Sequence, residues 1–62
     1  YTIRDNTLQL FNAELLTPIK IYNISGKLIK SITYNGNGID ISNLTDGIYI
    51  VKIGNYYIKI NK

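Results

Sequence analysis

Residues 39–53, IDISNLTDGIYIVKI, contain the strongest fold signal in this chain. Ile39 and Ile41 alternate with polar residues, which is the period of two that a strand shows when one of its faces is buried. Asp46-Gly47 predicts a turn, because glycine accepts positive φ angles and aspartate bonds to nearby backbone amides. The residues after the turn are mostly β-branched or aromatic, as in an interior strand. The stretch therefore predicts two strands joined by a corner.

Tyr49 lies just beyond this turn, in a Leu-x-x-Gly-x-Tyr pattern with Leu44 as an apolar anchor and Gly47 in the turn. Immunoglobulin-like sandwiches have a similar tyrosine corner, in which a tyrosine early in the penultimate strand bonds through its hydroxyl to upstream backbone. We predict that Tyr49 closes the corner in this way, in preference to contacting a ligand.

Residues 47–62 predict a hairpin with Gly54-Asn55 as its two-residue turn, of type II′ or I′. That turn places three pairs of apolar or aromatic side chains on one face: Ile53 with Tyr56, Val51 with Ile58, and Tyr49 with Ile60. The other face is amphipathic and pairs Lys52 with Tyr57 and Ile50 with Lys59. A slip by one residue would put both lysines into the core, so the sequence specifies this register well.

The earlier part of the chain predicts short strands at residues 1–4 and 7–11, one beginning at Pro18, and one at 27–34. Turns are expected at Asp5-Asn6 and Ser25-Gly26. Leu15-Leu16 is too short and too close to Pro18 for a helix, and no helix is expected elsewhere.

The register of the strands on either side of Ser25-Gly26 stays open. A two-residue loop pairs Ile19 with Ile32 but sets Ile21 opposite Lys30. A three-residue loop pairs Ile21 with Ile29 but sets Lys20 against Lys30.

Asn35-Gly36-Asn37-Gly38 doubles the strongest hairpin signal and links the strand ending at Tyr34 to a short strand starting at Ile39. The total is six or seven short antiparallel strands with turns every eight to ten residues. We therefore predict an all-β fold, a small immunoglobulin-like β-sandwich without helices.

The composition bounds the chain to one small domain, residues 1–62, with no cysteine for disulfides or thiolate metal sites. Because the first residue is tyrosine, we expect a fragment of a longer protein. The formal charge is +3 and the lysines are spread along the chain, which argues against a nucleic-acid partner. No apolar run approaches the ~20 residues that a membrane-spanning helix needs, so no direct membrane insertion is expected.

Groups for catalysis are scarce. The chain has no histidine, and its four carboxylates, Asp5, Glu14, Asp40 and Asp46, are isolated from one another in the sequence. We expect no enzyme activity, no metal and no cofactor. Asp40 and Ser42 could bind a sugar or a cation, although a solvated strand face is the simpler interpretation.

Tyrosines allow a second binding hypothesis. Tyr22, Tyr34 and Tyr57, if exposed, could form a stacking platform for carbohydrate or nucleic acid. The preference of tyrosine for strands is the favoured explanation for them. Exposed aromatic residues beside lysines would also suit a protein partner.

Three segments resemble a known family: IKIYNISGKLI (residues 19–29), the stretch 39–53, and the terminal YIKINK. They are similar to the type A C-terminal sorting domain of the type IX (Por) secretion system. The family pattern is met over residues 19–62 at these positions: Gly26, Lys27, Leu44, Gly47, Tyr49, Lys52 and Lys62. Many members open with Tyr-Pro-Asn-Pro, and residues 1–16 contain no such segment.

The resemblance implies that the chain is the tail of a larger secreted protein of a Gram-negative Bacteroidetes bacterium, with its cargo domain N-terminal in the same chain. The outer-membrane type IX machinery would recognise the tail after the cargo reaches the periplasm. A cell-surface sortase would then remove it, often with transfer of the cargo to lipopolysaccharide. The cargo would end on the cell surface or be secreted.

Within such a signal, we expect residues 47–62 to be the docking element. The candidate docking face consists of Lys52, Tyr57, Lys59 and Lys62. The alternative is an adhesive or carbohydrate-binding β-sandwich of a surface protein, and a passive spacer is a weaker third possibility.

Overall fold

A computed structural model describes residues 1–62 and contains seven β-strands and no helix. The strands are β1 (Thr2–Arg4), β2 (Thr7–Gln9), β3 (Pro18–Asn23), β4 (Leu28–Thr33), β5 (Ile39–Asp40), β6 (Ile48–Ile53) and β7 (Tyr56–Asn61). They form two antiparallel sheets, one of three strands in the order β1-β2-β5 and one of four in the order β4-β3-β6-β7. The predicted all-β class, with a sandwich-like arrangement, is confirmed.

The core is supplied by both sheets. Its members are the twelve buried residues Leu8, Leu10, Ile19, Ile21, Tyr34, Ile39, Ile41, Leu44, Tyr49, Val51, Ile53 and Ile60. In β3 and β6 they recur at every second position, which is the alternation that the sequence shows. Full burial of one such aliphatic side chain contributes about 1.5–3 kcal/mol. No polar or charged side chain is buried among them.

The final hairpin has the predicted register. Ile53 pairs with Tyr56, Val51 with Ile58, and Tyr49 with Ile60. Gly54 has a φ of +61°, whereas Asn55 is not among the residues with positive φ, which matches a type II′ turn. The turn between β1 and β2 is different, because Asp5 and Asn6 both have positive φ angles, of 53° and 60°, as in type I′.

The open register between β3 and β4 is resolved by a β-bulge. Near the turn, Asn23 donates its N–H to the Lys27 carbonyl at 3.0 Å, as the three-residue loop requires. Farther along, Ile21 pairs with Lys30 and Ile19 with Ile32, as the two-residue loop requires. The register shifts between Ile21 and Tyr22, and one extra residue of β4 takes up the difference.

This arrangement puts Lys30 on the inner side of the sheet, opposite the fully buried Ile21. The lysine side chain reaches across to the other sheet, where its Nζ donates to the Asp40 carbonyl at 2.9 Å. Because β4 is the outermost strand, the ammonium group leaves the core and gains a hydrogen-bond acceptor. Lys30 therefore bridges the two sheets instead of disrupting the core.

Two local expectations were wrong. Residues 35–38 do not join a hairpin, since β4 and β5 belong to different sheets. Tyr34 continues the large sheet by bonding its N–H to the Thr17 carbonyl at 2.9 Å, so the chain crosses to the small sheet only afterwards. The strand expected at residues 7–11 ends at Gln9, and Phe11 is 57% exposed.

Candidate functional site

The predicted tyrosine corner is present. The Tyr49 hydroxyl donates a hydrogen bond to the Thr45 carbonyl at 2.7 Å and lies 3.2 Å from the Thr45 Oγ1. The ring is only 7% exposed and is part of the core. One side chain thus fills the interior and holds the loop that precedes its own strand.

Gly47 extends the final hairpin beyond the ends of its strands. Its N–H donates to the Lys62 carbonyl at 3.2 Å, and its carbonyl accepts from the Lys62 N–H at 2.8 Å. The φ of Gly47 is +151°, and no atom lies within 4 Å of the position that a Cβ would take. Glycine is therefore needed at this position for its backbone conformation and not for lack of space.

Lys62 has a second bond to the same corner. Its Nζ donates to the carbonyl of Leu44, whose side chain is buried. Side chains alternate along a strand, so Lys62 shares the inner side with the fully buried Ile60. The lysine holds residues 44–47 against the end of β7, which is a structural role for the terminal position of the family pattern.

The remaining members of the candidate docking face lie together on the outer face of the four-stranded sheet, the face turned away from the core. Lys52 pairs with Tyr57 across the hairpin, and the Lys52 Nζ lies 5.8 Å from the centre of the Tyr57 ring, within cation–π range. Lys59 pairs with Ile50 beside them, and its side chain is exposed. The structure groups Lys52, Tyr57 and Lys59 and places Lys62 on the opposite side.

Gly26 and Lys27 form the turn between β3 and β4 with the help of Asn23. The Asn23 Oδ1 accepts bonds from the Ser25 N–H at 3.0 Å, the Ser25 Oγ at 2.8 Å and the Lys27 N–H at 2.9 Å. Sequence reasoning missed this role of Asn23. An asparagine at a strand end, just before a Ser-Gly pair, is the signal that could have found it.

The register shows how the pattern residues are distributed. Asn23 pairs with Tyr49, which pairs with Ile60, so the β3–β4 turn, the corner and Lys62 all lie at one end of the large sheet. Lys52 alone lies farther along the sheet. Most residues of the family pattern therefore lie at one end of the sandwich, and Lys52 is the one that lies on the outer face farther along the sheet.

Asp40 and Ser42 are exposed and bond to each other. The Ser42 N–H donates to the Asp40 Oδ1 at 2.9 Å. This backbone bond, followed by a bond from the Ser42 side chain, lowers the pKa of the Asp40 carboxyl. No group of three or more His, Cys, Asp or Glu side chains is placed to hold a metal ion.

The three tyrosines do not form a platform. The platform requires Tyr34 to be exposed, but it is 7% exposed and belongs to the core. The reason is that Tyr34 extends β4 through its bond to Thr17, and by alternation it shares the inner face with Ile32, the partner of the fully buried Ile19. Tyr22 and Tyr57 lie on the outer face, in strands separated by β6. The structure also contains no helix with the length and apolar character to cross a membrane.

Comparison with protein families supports the resemblance and extends it toward the N-terminus. The family model described as "Secretion system C-terminal sorting domain" matches residues 3–62, which is nearly the whole chain. Neither the curated proteins nor the solved structures gave a match. The chain belongs to the family of C-terminal sorting domains of the type IX secretion system.

Proposed function

We propose that this sorting domain carries a cargo, N-terminal in the same chain, from the periplasm of a Bacteroidetes bacterium to the cell surface or the medium. In this proposal, a cell-surface sortase removes the domain after export. The observation that carries the proposal is the family match over residues 3–62, because it identifies a C-terminal type IX secretion signal.

We infer that the export machinery docks on the outer face of the final hairpin, at Lys52, Tyr57 and Lys59. Tyr57 is 61% exposed, and a lysine lies on either side of it on the same face. Aromatic side chains are enriched in protein interfaces, where they supply apolar area together with a polar group. The well-specified register keeps these three groups at constant spacing.

In this proposal the tyrosine corner stabilises the domain and is not itself the docking surface. Tyr49, Gly47 and Lys62 hold the end of the sheet together, so they preserve the shape that is recognised. Lys62 contributes indirectly, since its ammonium group is bound to the Leu44 carbonyl. Loss of Lys62 is therefore expected to reduce export only as far as it destabilises the domain.

A secretion assay tests the docking inference. A reporter protein fused to this tail is expressed in a bacterium that has a type IX system, and exported and retained reporter are compared. Deletion of residues 55–62 is expected to abolish export, but it also removes β7. The sharper variants are Lys59→Ala and Tyr57→Ala, because both side chains are exposed and their removal leaves the core intact.

Arg4→Ala is the matched control, since Arg4 is an exposed cation on the other sheet. We expect export to fall with Lys59→Ala and Tyr57→Ala and to be unchanged with Arg4→Ala. Normal export of the deletion variant would refute the sorting role of the hairpin. If the exported reporter still has the molecular mass of the uncleaved fusion in cells with an active sortase, the removal step is refuted.

A further inference from the structure

Lys20 and Lys52 stand directly opposite each other on neighbouring strands. They are registered partners of β3 and β6, and both side chains are partly buried on the outer face. Like charges in directly opposed positions destabilise a sheet. The fold thus keeps two cations side by side at a central position of its larger sheet, where an isolated domain would gain from a neutral residue.

No carboxylate in this sheet offsets the pair. The four strands β4, β3, β6 and β7 contain neither aspartate nor glutamate. Lys52 instead contacts Tyr57, which lies on the side away from Lys20, with its Nζ 5.8 Å from the ring centre. The cation–π attraction of the aromatic ring replaces part of the electrostatic stabilisation that an anion would give Lys52.

A small cleft borders both lysines. It has a volume of about 190 Å³ and is lined by Pro18, Lys20, Lys52 and Gly54. None of its lining side chains is an acceptor, whereas each of the two ammonium groups can donate up to three hydrogen bonds. The cleft is therefore complementary in charge to an anion as small as one carboxylate.

We propose that this cleft binds the carboxylate of an acidic protein partner, with Lys20 donating to the carboxyl group and the flexible Lys52 side chain turning from the Tyr57 ring to donate to the same group. The inference rests on the docking function proposed above and names the chemistry of the partner. Apolar and aromatic side chains surround the cations on this face, among them Tyr22, Ile50 and Tyr57. Such a mixture fits a protein surface, whereas binding to an anionic lipid surface typically uses four to eight clustered cations.

The reporter fusion tests the proposal through four variants: Lys20→Gln, Lys52→Gln, the double variant, and Lys20→Glu. Each single glutamine variant is expected to lower export about tenfold, since charge-assisted bonds are the strong ones. The double variant loses little more than a single one, because both lysines bind one carboxylate and their effects are coupled.

Lys20→Glu separates recognition from folding. A glutamate opposite Lys52 replaces repulsion by attraction, so the melting temperature of the purified fusion is expected to rise. Export is expected to be lost, because the new carboxylate occupies the site of the partner's. Arg4→Gln makes the same charge change as Lys20→Gln on the small sheet and should leave export unchanged.

Binding of the purified fusion to a decaglutamate peptide completes the test. We expect Lys20→Gln to weaken it about tenfold. Absence of binding, or binding that Lys20→Gln leaves unchanged, overturns the proposal. Binding to vesicles containing lipopolysaccharide that is lost with Lys20→Gln also overturns it, in favour of an anionic lipid.

Two export results separate failure of the carboxylate site from failure of the sorting function. If deletion of the whole tail abolishes export and Lys20→Gln does not reduce it, the sorting function stands and the carboxylate site is refuted. If export survives deletion of the whole tail, the proposed function itself fails.

Discussion

Replacing Tyr49 with phenylalanine removes one oxygen atom and leaves the buried ring in place. The lost oxygen donates to the Thr45 carbonyl at 2.7 Å and lies 3.2 Å from the Thr45 Oγ1. Both contacts are partly buried, but the second is longer. It counts little because Thr45 is an exposed residue whose hydroxyl can bond to water instead. The first contact carries most of the cost. Its loss, with incomplete rehydration of the carbonyl, should cost about 1–2 kcal/mol of unfolding free energy.

That cost is large for so small a domain. At 62 residues, a typical unfolding free energy is about 3–9 kcal/mol. A loss of about 1–2 kcal/mol corresponds to a fall in melting temperature of about 5–15 °C for a domain of this size. Urea unfolding followed by circular dichroism should show a lower midpoint with an unchanged slope, which marks a change in stability without a change in the exposed surface.

Two variants make the measurement decisive. Tyr57→Phe also removes a tyrosine hydroxyl, but from an exposed side chain, and should change the unfolding free energy by less than about 0.5 kcal/mol. Thr45→Ala keeps the backbone acceptor and should be similarly mild. The reasoning is refuted if Tyr49→Phe is as stable as the native chain, or if Thr45→Ala is as damaging as Tyr49→Phe.

Three further outcomes are expected. Lys62→Ala should lower the unfolding free energy by about 1 kcal/mol, because the Leu44 carbonyl loses a charged donor, and Lys62→Gln should lower it less. Equal urea midpoints for the native chain and Lys62→Ala would contradict this. Gly47→Ala should cost at least about 1 kcal/mol because its φ of +151° strains any other residue, and an unchanged melting temperature would argue against that strain. The Asp40 carboxyl should titrate by NMR with a pKa below its ordinary value. The carboxylate therefore stabilises the fold above the unfolded pKa, and this stabilisation is lost as the pH falls through the folded pKa. Ser42→Ala should raise the Asp40 pKa only partly, because the backbone bond remains.

The final hairpin was predictable because its determinants are local. The Gly54-Asn55 turn sets the pairing, and alternation of apolar residues allows only one register to bury them. The corner was predictable for the same reason, since Tyr49 bonds only four residues upstream. In both cases, the interacting residues are neighbours in the chain or across one turn.

The features that were left open, missed or wrongly predicted depend on how separate parts of the chain meet. Because of the β-bulge in β4, one end of the β3–β4 pair has the register of a three-residue loop and the other end that of a two-residue loop, and neither loop length predicts a bulge. Asn-Gly residues allow a chain to turn but do not determine which sheet it enters, so the hairpin expected at residues 35–38 was wrong. The bond from Lys62 to Leu44 spans 18 residues and depends on how the corner folds, which no strand pattern records.

The bulge in β4 also gives the two outermost strands of the large sheet unequal protection against strand addition. Natural sheets resist edge-to-edge association by means of bulges and inward-pointing charges, and β4 has both, the charge being Lys30. On the other side, β7 is regular over its six residues. Lys62 and Gly47 form a hydrogen-bonded pair, and such pairs occur at every second residue of an antiparallel ladder. The backbone N–H and C=O groups of Tyr57, Lys59 and Asn61 therefore point away from β6 and have no strand partner. Self-association at high concentration, or invasion by a foreign extended segment, would therefore begin along β7.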